Sequence, residues 1–442
     1  MAVEYSEIMA AAAMFYSNRE LDFYSKTADS LLEWLKDAHT TISSPQNVEY
    51  GANRTQFIDY MNQGKWERLS KLSEEAKKKY LTNAVQGISA AKAVKKWLSS
   101  KYGLPADVKA EKVFITGNKW PKEVAKFQIK AFGIDDYNSS DIIIKTKGLK
   151  YYGVSLKKKP KENSVDPTLI NKAFDSILTG NGPNGIFTTI KKEIQEARAE
   201  YFAGVVREAV EKDILSIPED HLKWDDQKLF TAKERNTSKF ERAYIDTKGN
   251  NSDGYNTEPK QCKSLAMKDF VNQGLAAKDN PLFKKFSKVV EGNVQIFADT
   301  LINLILKVKL YEKLAANKDL AKYDFGFALV TGVGSVVRVP KSNPPKYKPN
   351  VGTGTAKDLH TILCGLEQLT ANNKEYQISV DFDKKEITDA AKIFFKISKD
   401  NVPILDLELR YKGKFTPQPQ FLGTITKEFE TILTDKCLVE AK

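Results

Sequence analysis

Residues 141–159 read DIIIKTKGLKYYGVSLKKK, two strand signals back to back. Asp141–Lys147 and Tyr151–Lys159 are rich in β-branched and aromatic residues, and Gly148, Leu149 and Lys150 between them suit a hairpin turn. Pro160 ends the second strand, because it has no amide hydrogen to give to a ladder. Side chains alternate along a strand, so Ser155 and Lys157 share one face while Val154 and Leu156 take the other. Asp141 stands at the head of the first strand, immediately before three isoleucines.

Upstream, the periodicity predicts helices over Ser6–Tyr16, Ser25–Asp37, Ser73–Val85 and Ile88–Ser99, the last stopped by Tyr102-Gly103-Leu104-Pro105. Lys112–Ile115 reads as a short strand, followed by a turn over Thr116–Pro121 and a polar loop over Gly133–Ser140. Downstream, a helix is expected over Asp166–Leu178, then mostly helical, charged text from Ile186 to Lys322. Phe325–Arg338 reads as a strand bent at its glycines, and Pro340–Pro349 as an irregular exposed loop. Further strands are expected at Tyr376–Phe382, Lys392–Ser398 and Ile404–Tyr411, with a closing helix near Lys427–Leu433. The fold class is α+β, a mixed α/β chain. It divides into a helical N-terminal region (1–104), a core (105–185), a helical region or insertion (186–322) and a β-rich C-terminal region (323–442).

A net charge of +12 favours a polyanionic partner, because fixed positive charge attracts phosphate and releases its counterions. Nucleic acid is preferred to an anionic membrane, since no basic amphipathic anchor is evident. Three distant cysteines (Cys262, Cys364, Cys437) and three scattered histidines (His39, His221, His360) exclude a disulfide framework, a Cys-based zinc site and a histidine-anchored triad. No apolar run reaches membrane-spanning length, and Glu4 and Glu7 stand where a signal peptide would be basic. The expected setting is a cytoplasm, or a virion assembled there. None of the glycine-rich loops carries the Gly-Lys-Ser/Thr ending of a phosphate-binding loop.

A carboxylate at the end of an apolar strand, beside a lysine on its neighbour, suits metal-assisted phosphodiester hydrolysis. Asp141 would hold a hard divalent cation, Mg²⁺ or Mn²⁺, through oxygen. The Leu156 backbone carbonyl would add a further metal oxygen. Lys157 would orient water or stabilise charge on the phosphate. Ser155 would hold a water or the scissile phosphate. Lys158, Lys159 and Lys161, with Arg338 and Lys341 further on, would follow the nucleic-acid backbone. Lys346, Tyr347 and Lys348 add charge and a ring able to stack on a base.

Asp141 followed by Gly153-Val154-Ser155-Leu156-Lys157 resembles the PD-(D/E)xK nuclease superfamily, the restriction-endonuclease-like fold. The order helix, three-stranded meander, helix matches over about 90 residues, with Phe325–Leu329 as candidate fourth strand. The resemblance implies a Mg²⁺-dependent nuclease, in the first instance an endonuclease on double-stranded DNA. The helical and C-terminal regions would then supply grip, self-association or assembly contacts. Two departures stand out: Ser140 replaces the usual proline, and Ser155 replaces the usual second acid. Glu111, Glu123, Asp135, Asp136, Glu74 and Glu75 are candidates for a compensating carboxylate. The alternative is a non-catalytic nucleic-acid-binding or viral assembly protein that keeps a nuclease-like fold.

Overall fold

The computed structural model describes residues 4–51, 73–116, 119–127, 140–148, 150–162, 170–173, 326–343, 346–359, 377–379, 392–399, 401–411 and 419–437, with parts of 193–231, 281–292 and 361–365. Three helices open the chain: α1 (Tyr5–Ala13), α2 (Asn18–Tyr24) and α3 (Ala28–Ser43). Each has a capping box at its start, in which Glu4 with Glu7, Ser17 with Glu20 and Thr27 with Ser30 satisfy each other's backbone donors. The helix expected over Ser25–Asp37 therefore starts later, because Thr27 caps α3 after a break at Ser25 and Lys26. The stretches Ser73–Val85 and Ile88–Ser99 join into one helix, α4 (Glu74–Tyr102). It runs from the Ser73 cap to Gly103, which closes it in the left-handed conformation at φ 65°.

The first sheet has the order β1 (Val48–Tyr50), β2 (Lys112–Ile115), β3 (Ile142–Thr146), β4 (Lys150–Lys159), β6 (Gly326–Arg338) and β7 (Tyr347–Val351), with β8 (Thr355–Asp358) also on β6. The β2–β3–β4 meander is antiparallel, and β4 pairs β6 in parallel from Tyr152↔Gly326 to Lys159↔Val333. Ile142, Ile144, Tyr152, Val154, Leu156, Ala328 and Val330 bury the face that packs on α1 and α4. Phe114, Ile143 and Tyr151 fill the other face, where Phe127 stacks on Tyr151.

Two expectations are corrected here. The stretch Pro340–Pro349 is a loop only in part: its described residues up to Lys346 lie outside any strand, but β7 starts at Tyr347 and returns along β6 as an antiparallel hairpin. The helix expected over Asp166–Leu178 gives way, in its described part, to a strand, β5 (Ile170–Ala173). This strand pairs β12 (Pro419–Ile425) in a second, five-stranded sheet, β5-β12-β11-β10-β9, with β11 at Val402–Tyr411, β10 at Lys392–Lys399 and β9 at Gln377–Ser379. A ladder to a strand 250 residues away is invisible to local periodicity, and it overrides the local preference. Helix α5 (Lys427–Cys437) packs on β11 and reaches the first sheet through an ion pair between Glu430 and Lys357 of β8. Among the described residues, no helix is long and apolar enough to cross a membrane.

Candidate active site

The site forms where the meander comes apart. The ladder between β3 and β4 ends at Ile142↔Val154, while β4 continues beside β6 as far as Lys159. Past Val154 the β3-side edge of β4 is therefore taken up by the turn that carries Asp141. That turn is clamped from β2: the Thr116 hydroxyl donates to the backbone carbonyls of Ser140 and, at 3.1 Å, Asp141. The Asp141 amide in turn donates to the Val154 carbonyl at 2.9 Å.

Asp141 is thereby aimed along the edge of β4. Its Oδ2 accepts the Leu156 amide hydrogen at 2.6 Å and lies 3.4 Å from the Ser155 hydroxyl. The Lys157 ammonium stands 3.5 Å from the same hydroxyl, so Ser155 links the lysine to the carboxylate. Ser155 is only 2% exposed, which commits its hydroxyl to this internal link rather than to a bound phosphate. In a strand the N–H and C=O of one residue point to the same edge, so the Leu156 carbonyl also faces the Asp141 side.

A second acid near this edge is Glu7, on the first turn of α1. Glu7 accepts the Glu4 amide hydrogen at 2.9 Å within the capping box, and its charge is felt by both Asp141 and Lys157. A small cleft lies between the helices and the strand, lined by Glu4, Glu7, Gln86, Leu156, Lys157 and Lys158. Burial pushes the Glu7 carboxyl up to about 8, and the neighbouring Asp141 charge adds to the rise. Burial also raises Asp141 above the usual carboxylate range, against the pull of Lys157, the Leu156 amide and Ser155.

With the Leu156 carbonyl, these acids would supply hard-oxygen donors to a cation. Mg²⁺ is commonly held by one or two carboxylates, with waters and substrate phosphate completing its shell, and the residues present fit that pattern. Among the described residues, no three or more acidic, His or Cys side chains gather around one point.

The other candidate acids lie elsewhere. Glu123 accepts from Tyr151 at 2.8 Å and Lys145 at 3.1 Å, at the far end of the meander on the opposite face. Glu111 donates its amide to the Lys145 carbonyl at that same far end. Glu74 pairs with Lys77 at the start of α4. Asp135 and Asp136 lie outside the described residues. Nothing in local sequence marks Glu7, since its only signature is a helix cap. Its proximity to Asp141 depends on α1 crossing α4.

The basic residues separate as well. Lys158 is exposed and pairs with Glu4, Lys161 is exposed, and Lys159 is buried at 7%. Arg338 and Lys341 are exposed at the far end of the β6–β7 hairpin. The Tyr347 hydroxyl donates to the Glu74 carbonyl at 3.2 Å, which docks this ring on α4 instead of freeing it for stacking. No protein-family model, characterised protein or solved structure shows significant similarity to this chain.

Proposed function

We propose that the protein is a divalent-metal-dependent nuclease, a DNA endonuclease of the restriction-endonuclease-like kind. One observation carries the reading: Asp141 and Lys157 flank the Ser155 hydroxyl at the β3-side edge of β4, beside a cleft that Lys157 shares with Glu7. The succession α4, β2, β3, β4 and a parallel β6 supports it, being the first helix, meander and fourth strand of such a core, while β5 stands in the described part of the stretch expected as its second helix. Glu7 stands in for the acid that Ser155 lacks.

In this reading Asp141 and Glu7 hold Mg²⁺ or Mn²⁺ with the Leu156 carbonyl. The cation, when bound, supplies Lewis acidity toward the scissile phosphate and a water of lowered pKa. The rest is the chain's own work. Thr116 and the Leu156 amide fix the Asp141 carboxylate. Ser155 holds the lysine beside that carboxylate, and Lys157 gives its charge to the phosphate oxygen where negative charge grows. The β4 end and the positive balance of the chain attract the polyanion.

The test is nicking of supercoiled plasmid with Mg²⁺ or Mn²⁺ by the intact chain and by Asp141→Ala, Lys157→Ala and Glu7→Ala. Each substitution is expected to cost about a hundredfold or more, the usual size of losing one transition-state contact. Cleavage that survives all three removes the site assignment. Binding without cleavage by the intact chain would favour the non-catalytic alternative.

A further inference from the structure

The β6–β7 hairpin carries a second set of features that the hydrolytic site does not use. In the parallel ladder Ser155 pairs Leu329 and Lys157 pairs Thr331, and directly paired strand residues share a face. Alternation then puts Ser335, Val337 and Val339 of the same chain segment on the face of Ser155 and Lys157. In the hairpin, Val337 pairs Lys348, and the Val339 amide donates to the Lys346 carbonyl at 2.8 Å, which adds Lys346 and Lys348 to that face. The pairs Val336 with Pro349 and Arg338 with Tyr347 look the other way: Val336 and Pro349 are buried, and Tyr347 docks on the start of α4.

This face is exposed and apolar at its centre. Val337 is 55% exposed and Val339 is 38% exposed, with Lys346 and Lys348 exposed beside them. The segment from Phe325 to Lys357 contains no Asp or Glu, so no internal anion neutralises these lysines within it. The tip is preorganised. Ser342 donates its hydroxyl to the Val339 carbonyl at 2.8 Å and accepts the Lys346 amide hydrogen at 2.9 Å, with Lys341 in the left-handed conformation at φ 58°. A two-stranded ribbon about as wide as a major groove, with lysines flanking a small apolar centre, matches duplex nucleic acid: phosphates take the lysines and base methyls or sugar edges take the valines. From the level of Thr331 to Val337 the strand runs about 20 Å when extended, roughly six base pairs along a duplex.

We infer that the β6–β7 hairpin is a substrate arm that enters the groove of a DNA duplex, about six base pairs from the catalytic edge, through Val337, Val339, Lys346 and Lys348. The inference takes its substrate class from the nuclease reading, but its geometry is independent of Asp141 and Glu7. Its test is fluorescence-anisotropy binding of a 20-base-pair duplex by the full chain in EDTA, over a salt series. Lys346→Ala with Lys348→Ala is expected to weaken binding and to flatten the slope of log affinity against log salt by about 1.8, or 0.9 per phosphate contact. Val337→Ser with Val339→Ser is expected to weaken binding while leaving the salt slope unchanged. Both pairs are exposed, and unchanged thermal melting shows that folding is intact.

Wild-type affinity in both variants would overturn the arm, as would failure of the intact chain to bind the duplex. Equal or tighter binding of a 20-nucleotide single strand, or of anionic vesicles, with the same dependence on the variants would overturn the groove assignment. The plasmid assay keeps the two readings apart. Cleavage with an arm that does not matter for binding leaves the nuclease standing alone, and arm-dependent binding without cleavage leaves the arm standing alone.

Discussion

In the proposed nuclease Glu7 is the second acid, and its proton makes it measurable without substrate. The carboxyl ionises near 8 in the folded chain but near its ordinary 4.5 once unfolded. Between those values the native state holds a proton that the unfolded state has lost, so folding stability falls as pH rises from about 4.5 to 8 and levels off beyond. Thermal melts in EDTA are expected to show this decline in the intact chain and a markedly flatter one in Glu7→Gln. Parallel profiles for the two would remove Glu7 from the buried acid pair. Asp141 and Lys157 could be picked out from the sequence, because a strand hairpin with an acid and a lysine has its own pattern. Glu7 could not, because its partner lies 134 residues away and the two meet only through helix packing.

At the level of elements, two glycines set the geometry. A Cβ on Gly87 would come within 2.5 Å of the Met9 Cβ and 2.7 Å of the Ala10 nitrogen, so α1 and α4 touch backbone to backbone at this point. Alanines 10 to 13 of α1 are all buried. Gly87→Val is expected to force the helices apart at a cost of about 1–3 kcal/mol, lowering Tm and withdrawing Glu7 from Asp141. A Gly87→Val chain that keeps both Tm and cleavage would show that this crossing does not position the site. Gly334 marks the place where β6 leaves β4 and begins the arm. Its φ of 151° is one that side chains rarely adopt, and a Cβ there would lie 2.4 Å from Val85 Cγ1 and 2.6 Å from the Asn350 carbonyl oxygen. Gly334→Ala is expected to cost about 1–3 kcal/mol in denaturant unfolding, where an ordinary strand position would cost little. The turn signal at Gly103 and the bend at Gly332 and Gly334 were legible as glycines. The hairpin return was not, since four prolines in 340–349 read locally as loop and only pairing with β6 makes Tyr347–Val351 a strand.

For the whole molecule, the proposed site would link folding and ion binding through Glu7 and Asp141. A cation that binds the native state alone stabilises it by RT ln(1 + [L]/Kd), about 2.7 kcal/mol at a hundredfold excess over Kd. Because the Glu7 carboxyl is pushed up to about 8, an ion held there would displace its proton, so its effect would grow with pH. Adding Mg²⁺ is expected to raise Tm more at pH 8.5 than at pH 6.5 in the intact chain, and hardly at all in Asp141→Ala. An equal shift at both pH values, or one retained in Asp141→Ala, would place the ion elsewhere.

Composition and alternation were enough to determine the α+β class, the Asp141–Lys159 hairpin, the shared face of Ser155 and Lys157 and the basic balance, because each depends on neighbours within a few residues. Tertiary structure decided the remainder: that Gly326–Arg338 lies parallel to β4, that Ile170–Ala173 is a strand of the second sheet, and that α1 brings Glu7 to Asp141. These are contacts between segments far apart in the chain. They depend on ladder pairing and on a glycine-sized gap between helices, and no local pattern encodes either.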